Sequence, residues 1–206
     1  ISNGLPGLTL VGLPETAVKE ARDRVRSAII NSGYAFPAKK ITINLAPADM
    51  PKEGGRYDLP IAIALLAASE QLTAPELASY ELVGELALTG ALRGVPGAIS
   101  CAIEAIKSGR RIIVASENAT EVGLLESNDC YIASHLQEVC AFLEGKCTLP
   151  FPEQIRQEPR VDTGDLCDVI GQQQGKRALE IAASGGHNLL FLGPPGTGKT
   201  MLASRL

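Results

Sequence analysis

Eight consecutive residues, Gly193-Pro194-Pro195-Gly196-Thr197-Gly198-Lys199-Thr200, hold the residue types and spacing in this 206-residue chain best suited to chemistry. They read G-x-x-x-x-G-K-T, the phosphate-binding loop. Glycines at 193, 196 and 198 let the backbone curl into a concave nest whose N–H groups point at phosphate oxygens. Lys199 has the reach and the charge for the β- and γ-phosphates of ATP, and the Thr200 hydroxyl suits one position on Mg²⁺. Lys199 and Thr200 are therefore the expected catalytic pair. The stretch from Gly193 to Thr200 is the expected nucleotide cradle, with the metal reached through Thr200.

Such a loop works only between a strand and a helix. The apolar run Asn188-Leu189-Leu190-Phe191-Leu192 reads as a buried parallel strand leading into it. The residues after it open a helix whose positive end would face the anion. Only Met201 to Leu206 follow the loop, and the chain begins at Ile1, so it reads as part of a longer protein. This fragment is expected to be nearly inactive alone, because the acidic, water-orienting and arginine groups of a phosphoryl-transfer site normally lie elsewhere. The segment after Asp165 is expected to be poorly ordered or held by packing on the first domain.

Composition narrows the class. Hydrophobic residues make up 45% and charged residues 20%, which is ample for a core. No apolar stretch approaches the ~20 residues of a bilayer span and no signal peptide is visible, so a cytoplasmic protein without a membrane partner is expected. The net charge of −4 is unevenly spread. Residues 1–60 carry eight Lys/Arg against six Asp/Glu, residues 61–147 five against eleven, and residues 148–206 six of each. A nucleic-acid partner would need a local patch. The cysteines at 101, 130, 140, 147 and 167 form no C-x-x-C pair and read as reduced thiols. Cys130, His135, Cys140 and Cys147 match none of the usual zinc spacings.

Upstream, strand-like and helix-like patterns alternate, as in a compact α/β or α+β domain over residues 1–147. Leu8 to Val11 and Lys40 to Ala46 read as strands. Between them Pro14-Glu15 opens a helix with an apolar stripe of Ala17, Ala21, Val25, Ala28 and Ile29, ended by Gly33. Glu15–Lys19, Lys19–Asp23 and Glu20–Arg24 are i,i+4 pairs on its solvent side. Asp58 reads as the N-cap of an apolar helix from Leu59 to Ser69. Glu81 to Leu88 reads as a strand, Thr89-Gly90 as a turn, Ala98 to Ser108 as a helix and Arg111 to Ala115 as a buried strand. A helix from Glu117 to Leu125, a short strand at Cys130–Ile132 and a helix from His135 to Leu143 complete it. Prolines 150, 152 and 159 mark residues 148–165 as a linker, and a second domain starts at 166 with a helix from Gln172 to Ala183.

Several strings resemble the ComM/YifB family, Mg-chelatase-like members of the AAA+ ATPases. They are Val11-Gly12-Leu13-Pro14-Glu15-Thr16-Ala17-Val18-Lys19-Glu20, Asn44-Leu45-Ala46-Pro47-Ala48-Asp49, Pro51-Lys52-Glu53-Gly54-Gly55-Arg56-Tyr57-Asp58-Leu59-Pro60, and Gly185 to Phe191 running into the phosphate loop. The resemblance covers essentially the whole chain. It implies an α+β first domain of the ribosomal protein S5 domain 2-like fold, similar to the Lon protease domain, followed by a truncated α/β P-loop AAA+ domain. It also implies an ATP-driven homo-hexamer that moves DNA branches during recombination and natural transformation, acting on branched or single-stranded DNA. Val169, Ile170 and Gly171 would by the same resemblance line the adenine pocket; the plain alternative is a turn and helix start.

A Lon-like domain raises an ATP-dependent serine protease as a rival, and a motor that remodels a protein partner as a third reading. The protease needs a serine activated by a lysine. The loop resembling the serine's holds Arg56, Tyr57 and Asp58 and no serine. Ser100 and Lys107 stand seven residues apart on one helix, a rise of ~10 Å that is too long for a hydrogen bond. Arg22, Arg24 and Arg26 with Lys19, followed by Lys39-Lys40, form a basic stretch that reads either as a solvated helix face or as a contact for DNA phosphates. Glu53 reads as a loop residue, His187 as either a nucleotide sensor or a strand-edge residue, and Arg56 with Tyr57 as weak candidates for base stacking.

Overall fold

A computed structural model describes residues 1–12, 16–47, 49–50, 52, 54–125, 127–153 and 164–205, with backbone only for 16–19. Pro14, Glu15 and Glu53, and the ion pairs drawn through Glu15 and Lys19, lie outside the described residues and side chains. The chain divides into two units, residues 1–155 and 156–206.

The first unit is a mixed α/β structure with parallel strands. Strand β1 (Gly7–Val11) pairs in parallel with β2 (Lys40–Asn44), Leu8 opposite Ile41 and Leu10 opposite Ile43, and helix α1 (Thr16–Asn31) makes the crossover. Helix α2 (Asp58–Ala68) follows a single turn at Gly55–Tyr57. The chain then runs through β3 (Tyr80–Leu82), β4 (Glu85–Leu86), β5 (Leu92–Arg93), α3 (Ala98–Lys107), β6 (Arg111–Ala115), α4 (Ala119–Val122), β7 (Cys130–Ala133) and α5 (Leu136–Leu143). Strands β3, β6 and β7 form a parallel sheet with β6 in the middle, and β4 and β5 form a short antiparallel hairpin.

The middle strand explains the layering. Ile112 and Val114 of β6 join a cluster with Ala98, Ala102 and Ala105 of α3. Ile113 and Ala115, pointing the other way, join the larger core built on α1, α2 and α5. A strand buried on both faces is apolar throughout, which is why Ile112 to Ala115 reads as one continuous run. The α1 stripe holds as expected from Ala21 onward, since Ala21, Val25, Ala28 and Ile29 are all buried.

The expected strand from Glu81 to Leu88 is two strands. Gly84 interrupts it: its N–H donates to the Arg56 carbonyl (3.3 Å) and its C=O accepts from the Leu59 N–H (3.1 Å). Those bonds draw the chain from the parallel sheet to the start of α2, and β4 pairs with β5 instead. Likewise, part of the stretch expected to be linker packs on this unit. Leu149 is buried, and the Pro150 carbonyl accepts from the Ile132 N–H at 3.0 Å.

At Gly12 the backbone has φ +108°, and an added Cβ would meet the carbonyl of Leu45. We expect Gly12→Ala to combine left-handed strain with a backbone clash, lowering the urea unfolding free energy by about 2 kcal/mol or more. An unchanged urea midpoint would refute this.

In the second unit, a turn at Leu166–Asp168 leads to helix α6 (Gln173–Gly185), and α7 (Lys199–Ala203) follows the phosphate loop. Val169, Leu179 and Leu202 form its small core, with Phe191 and Leu166 against them. Among the described residues no helix is long and apolar enough to cross a membrane.

Candidate functional site

The expected nucleotide cradle is held by its own lysine. Lys199, first residue of α7, donates from Nζ to the carbonyls of Gly193 (2.8 Å) and Pro194 (2.7 Å), with Thr197 Oγ1 at 3.4 Å. Thr197 Oγ1 in turn donates to the Pro194 carbonyl at 2.9 Å. Gly196 and Gly198 have φ of +82° and +80°, the left-handed geometry that closes the curl between Gly193 and the helix. A Cβ placed on Gly196 would meet no heavy atom within 4 Å, so the loop borders open space. A curled loop with an ammonium at its base and clear space beside a left-handed glycine is compatible with a phosphate group. Thr200 lies in the first turn of α7, exposed.

Packing sets where this helix sits. Leu202 of α7 is buried against α6, where Gly175 leaves room: a Cβ there would come within 2.9 Å of Leu202 Cδ1. The turn before α6 is tied to the loop as well. Gln172, held at φ +53°, donates from Nε2 to the Thr197 carbonyl at 3.4 Å. From sequence Gln172 is expected only as the start of a helix, with no role at the loop. Gly171 and Gln172 are consecutive left-handed residues (φ +74° and +53°) that turn the chain toward the loop, and residue type alone does not signal a left-handed glutamine. Of the three residues expected near adenine, Val169 is buried in the small core, Ile170 is 96% exposed and Gly171 makes the turn.

The run Asn188 to Leu192 is not a strand, which corrects the sequence reading. It has no ladder partner among the described residues, and Leu190 and Leu192 are 78% and 87% exposed. An apolar run becomes a buried strand only where neighbouring strands take its hydrogen bonds, and none is placed beside it here. His187 is exposed, its N–H closing α6 on the Ala182 carbonyl at 2.9 Å.

In the first unit the largest correction concerns Asp58. It is the first residue of α2 and not its cap; Tyr57 occupies that position. Its side chain is fully buried and accepts two hydrogen bonds from Arg24, Nε to Oδ2 at 2.7 Å and Nη2 to Oδ1 at 3.1 Å. The Leu86 N–H adds a third at 3.2 Å. Burial pushes the Asp58 carboxyl above the ordinary carboxylate value, while Arg24 and the Leu86 N–H pull it back down. The same pairing lifts the Arg24 guanidinium further above its already high value.

That pair also dismantles the expected three-arginine face. At 100° per residue, Arg22 and Arg26 share one side of α1 and Arg24 points away from both, into the core side. Glu20 and Arg24 do approach, at 4.0 Å. Arg56 lies exposed enough to donate to the Pro96 carbonyl at 3.4 Å, and Lys107 pairs with Glu104 at 2.8 Å. Lys52, not singled out from sequence, is buried with its ammonium on the carbonyls of Pro47 and Met50. Among the described residues no group of three or more His, Cys, Asp or Glu could hold a metal ion; Cys130 and Cys140 are buried and Cys147 is exposed.

The raised proton affinity of Asp58 has a sign that can be tested. The unfolded carboxyl loses its proton near 3.8, before the folded one does. The stability that Asp58 contributes is thus full below that value and declines as pH rises through the folded pKa. Asp58→Asn has no such proton to lose. Thermal melts from pH 3 to 7 should show parent stability falling relative to the Asn variant; a parallel pair of curves would contradict this.

Comparison with known proteins finds two family matches. Residues 1–118 match subunit ChlI of Mg-chelatase, and residues 165–206 match magnesium chelatase, subunit ChlI. Over the whole chain, the uncharacterized protein YifB of Salmonella typhimurium is 78% identical, that of Escherichia coli 77%, and the competence protein ComM of Haemophilus influenzae 60%. The chain spans 41%, 41% and 42% of the lengths of these three proteins, about two fifths of each.

Proposed function

From the premise that this chain belongs to the Mg-chelatase ChlI-subunit family, we propose that it binds ATP with Mg²⁺ in the Gly193–Thr200 loop. The observation that carries the reading is the curl of that loop around the Lys199 ammonium, bordered by open space at Gly196. Lys199 supplies a fixed positive charge for the β- and γ-phosphates by exchanging its two carbonyl partners for phosphate oxygens. The Thr200 hydroxyl would hold Mg²⁺, which would supply positive charge at the phosphates. The left-handed Gly196 and Gly198 suit a loop that offers its N–H groups to phosphate, and Val169, Ile170 and Gly171 border the adenine.

In the whole protein we assign hydrolysis to DNA branch migration in recombination and natural transformation, carried out by a cytoplasmic homo-hexamer. The ComM name of a 60% identical relative, a competence protein, supports a DNA role. The first domain, residues 1–147, takes the ribosomal protein S5 domain 2-like fold; 148–165 link it to the AAA+ domain that starts at 166. No protease chemistry is assigned to it. Asp58 is locked to Arg24, and Lys107 is engaged by Glu104.

The deciding experiment measures ATP hydrolysis by the intact protein with forked, branched and linear DNA. Stimulation several-fold greater with branched than with linear DNA is expected. Equal rates with and without every DNA would overturn the DNA reading and leave a motor acting on a protein partner. Residues 1–206 alone should turn over ATP at no measurable rate.

A further inference from the structure

Three cations and one aromatic ring, drawn from separate segments of the first unit, meet at a cleft of about 170 Å³ beside β1. Arg22 and Arg26 reach it from one side of α1, a turn apart. Lys39 reaches it from the segment before β2, where its carbonyl accepts from the Gly7 N–H at 3.3 Å. Phe36, Pro6 and Leu8 supply apolar walls. The Arg26 guanidinium lies 5.2 Å from the centre of the Phe36 ring, which fixes the direction of a long, otherwise mobile side chain.

The cleft has no acidic lining among the described residues. Among the described residues, neither Arg26 nor Lys39 has a carboxylate within ion-pair distance, and Arg22 has only Asp23, at 4.0 Å with both side chains mostly exposed. Such a pair is worth little in water. A concentration of unbalanced positive charge on a chain of net charge −4 is therefore local and built, not a by-product of composition.

We propose that this cleft binds the sugar–phosphate backbone of single-stranded DNA. Arg22 and Arg26, spaced one helical turn apart, present planar forks to neighbouring phosphates, and Lys39 adds a point charge from the opposite wall. A flexible single strand can bring successive phosphates to all three cations of one cleft. Phe36 is already covered by Arg26, so the ring stiffens the site and does not stack on bases; binding is independent of base sequence. The choice of DNA rests on the function proposed above, whereas the polyanion site itself rests on the cleft.

The test follows binding of a fluorescent oligothymidylate to the intact protein by anisotropy, between 50 and 200 mM salt. Three phosphate contacts on a single strand contribute about 2 to the log–log salt slope, so the parent should lose roughly 20-fold more affinity over that range than the triple variant Arg22→Gln, Arg26→Gln, Lys39→Gln. A control of equal charge change on other faces, Lys107→Gln, Arg110→Gln, Lys146→Gln, should keep the parent slope. Arg22→Lys with Arg26→Lys should also keep it. If the parent binds and the cleft triple has the parent's slope, the cleft inference falls while the DNA function stands. If the parent binds no DNA, both fall. If the cleft triple loses polyglutamate binding as strongly as oligothymidylate binding, the site belongs to an acidic protein and the proposal is overturned.

Discussion

Lys199→Ala in the intact protein should abolish ATP turnover, with a loss of about 10³-fold in kcat. One preorganised donor aimed at developing charge is worth roughly 10²–10³ in rate, and Lys199 also holds the loop's shape. The side chain ties Gly193 and Pro194 to the start of α7 through two hydrogen bonds near 2.8 Å and 2.7 Å. Truncation therefore removes both the charge and the clasp. A steady-state phosphate-release assay over a range of ATP concentrations separates the two. Loss of charge lowers kcat, and a loosened loop raises KM as well. Lys199→Arg keeps the charge but carries a bulkier planar head that the two converging carbonyls do not accommodate equally, so it should rescue only partly. Retention of near-parent turnover in Lys199→Ala would remove Lys199, and with it the nucleotide reading, from the mechanism.

The second large effect is structural. Asp58→Ala should destabilise the chain by about 3 kcal/mol in urea unfolding, because removing one partner strands the other charge. Arg24 keeps only 22% of its side chain in water, and the Leu86 N–H also loses its acceptor. The pair joins α1 to α2 across 34 residues of sequence and to β4 through Leu86, so three elements loosen at once. The double variant Arg24→Met with Asp58→Leu should cost clearly less than the two single changes summed, since the stranded charge is gone. Additive losses would mean the pair is not a unit.

Much of the architecture was legible because it rests on short-range patterns. The three- and four-residue stripe of Ala21, Val25, Ala28 and Ile29 and the unbroken run of β6 each reflect burial on a fixed geometric period. The curl from Gly193 to Lys199 was legible for the same reason, since its glycines and lysine interact within six residues of one another. What the sequence hid depends on distant partners. Asp58 stands where a cap would stand, yet its carboxylate answers to Arg24 on another helix. Gly84 reads as an interior strand residue until its two bonds to the start of α2 are seen. Asn188 to Leu192 has a strand's composition without neighbours to pair with. The arginine face was a different kind of miss, because helical period alone separates Arg24 from Arg22 and Arg26.

The bare leucines ahead of the phosphate loop carry a practical consequence. Leu190 and Leu192 present greasy side chains to water, and among the described residues their backbone amides have no hydrogen-bond partner. Molecules bearing such an edge stick to one another on collision. Refolding yield of residues 1–206 should fall as concentration climbs, and a polar swap at Leu190 and Leu192 should restore it while leaving the melting of the first unit untouched.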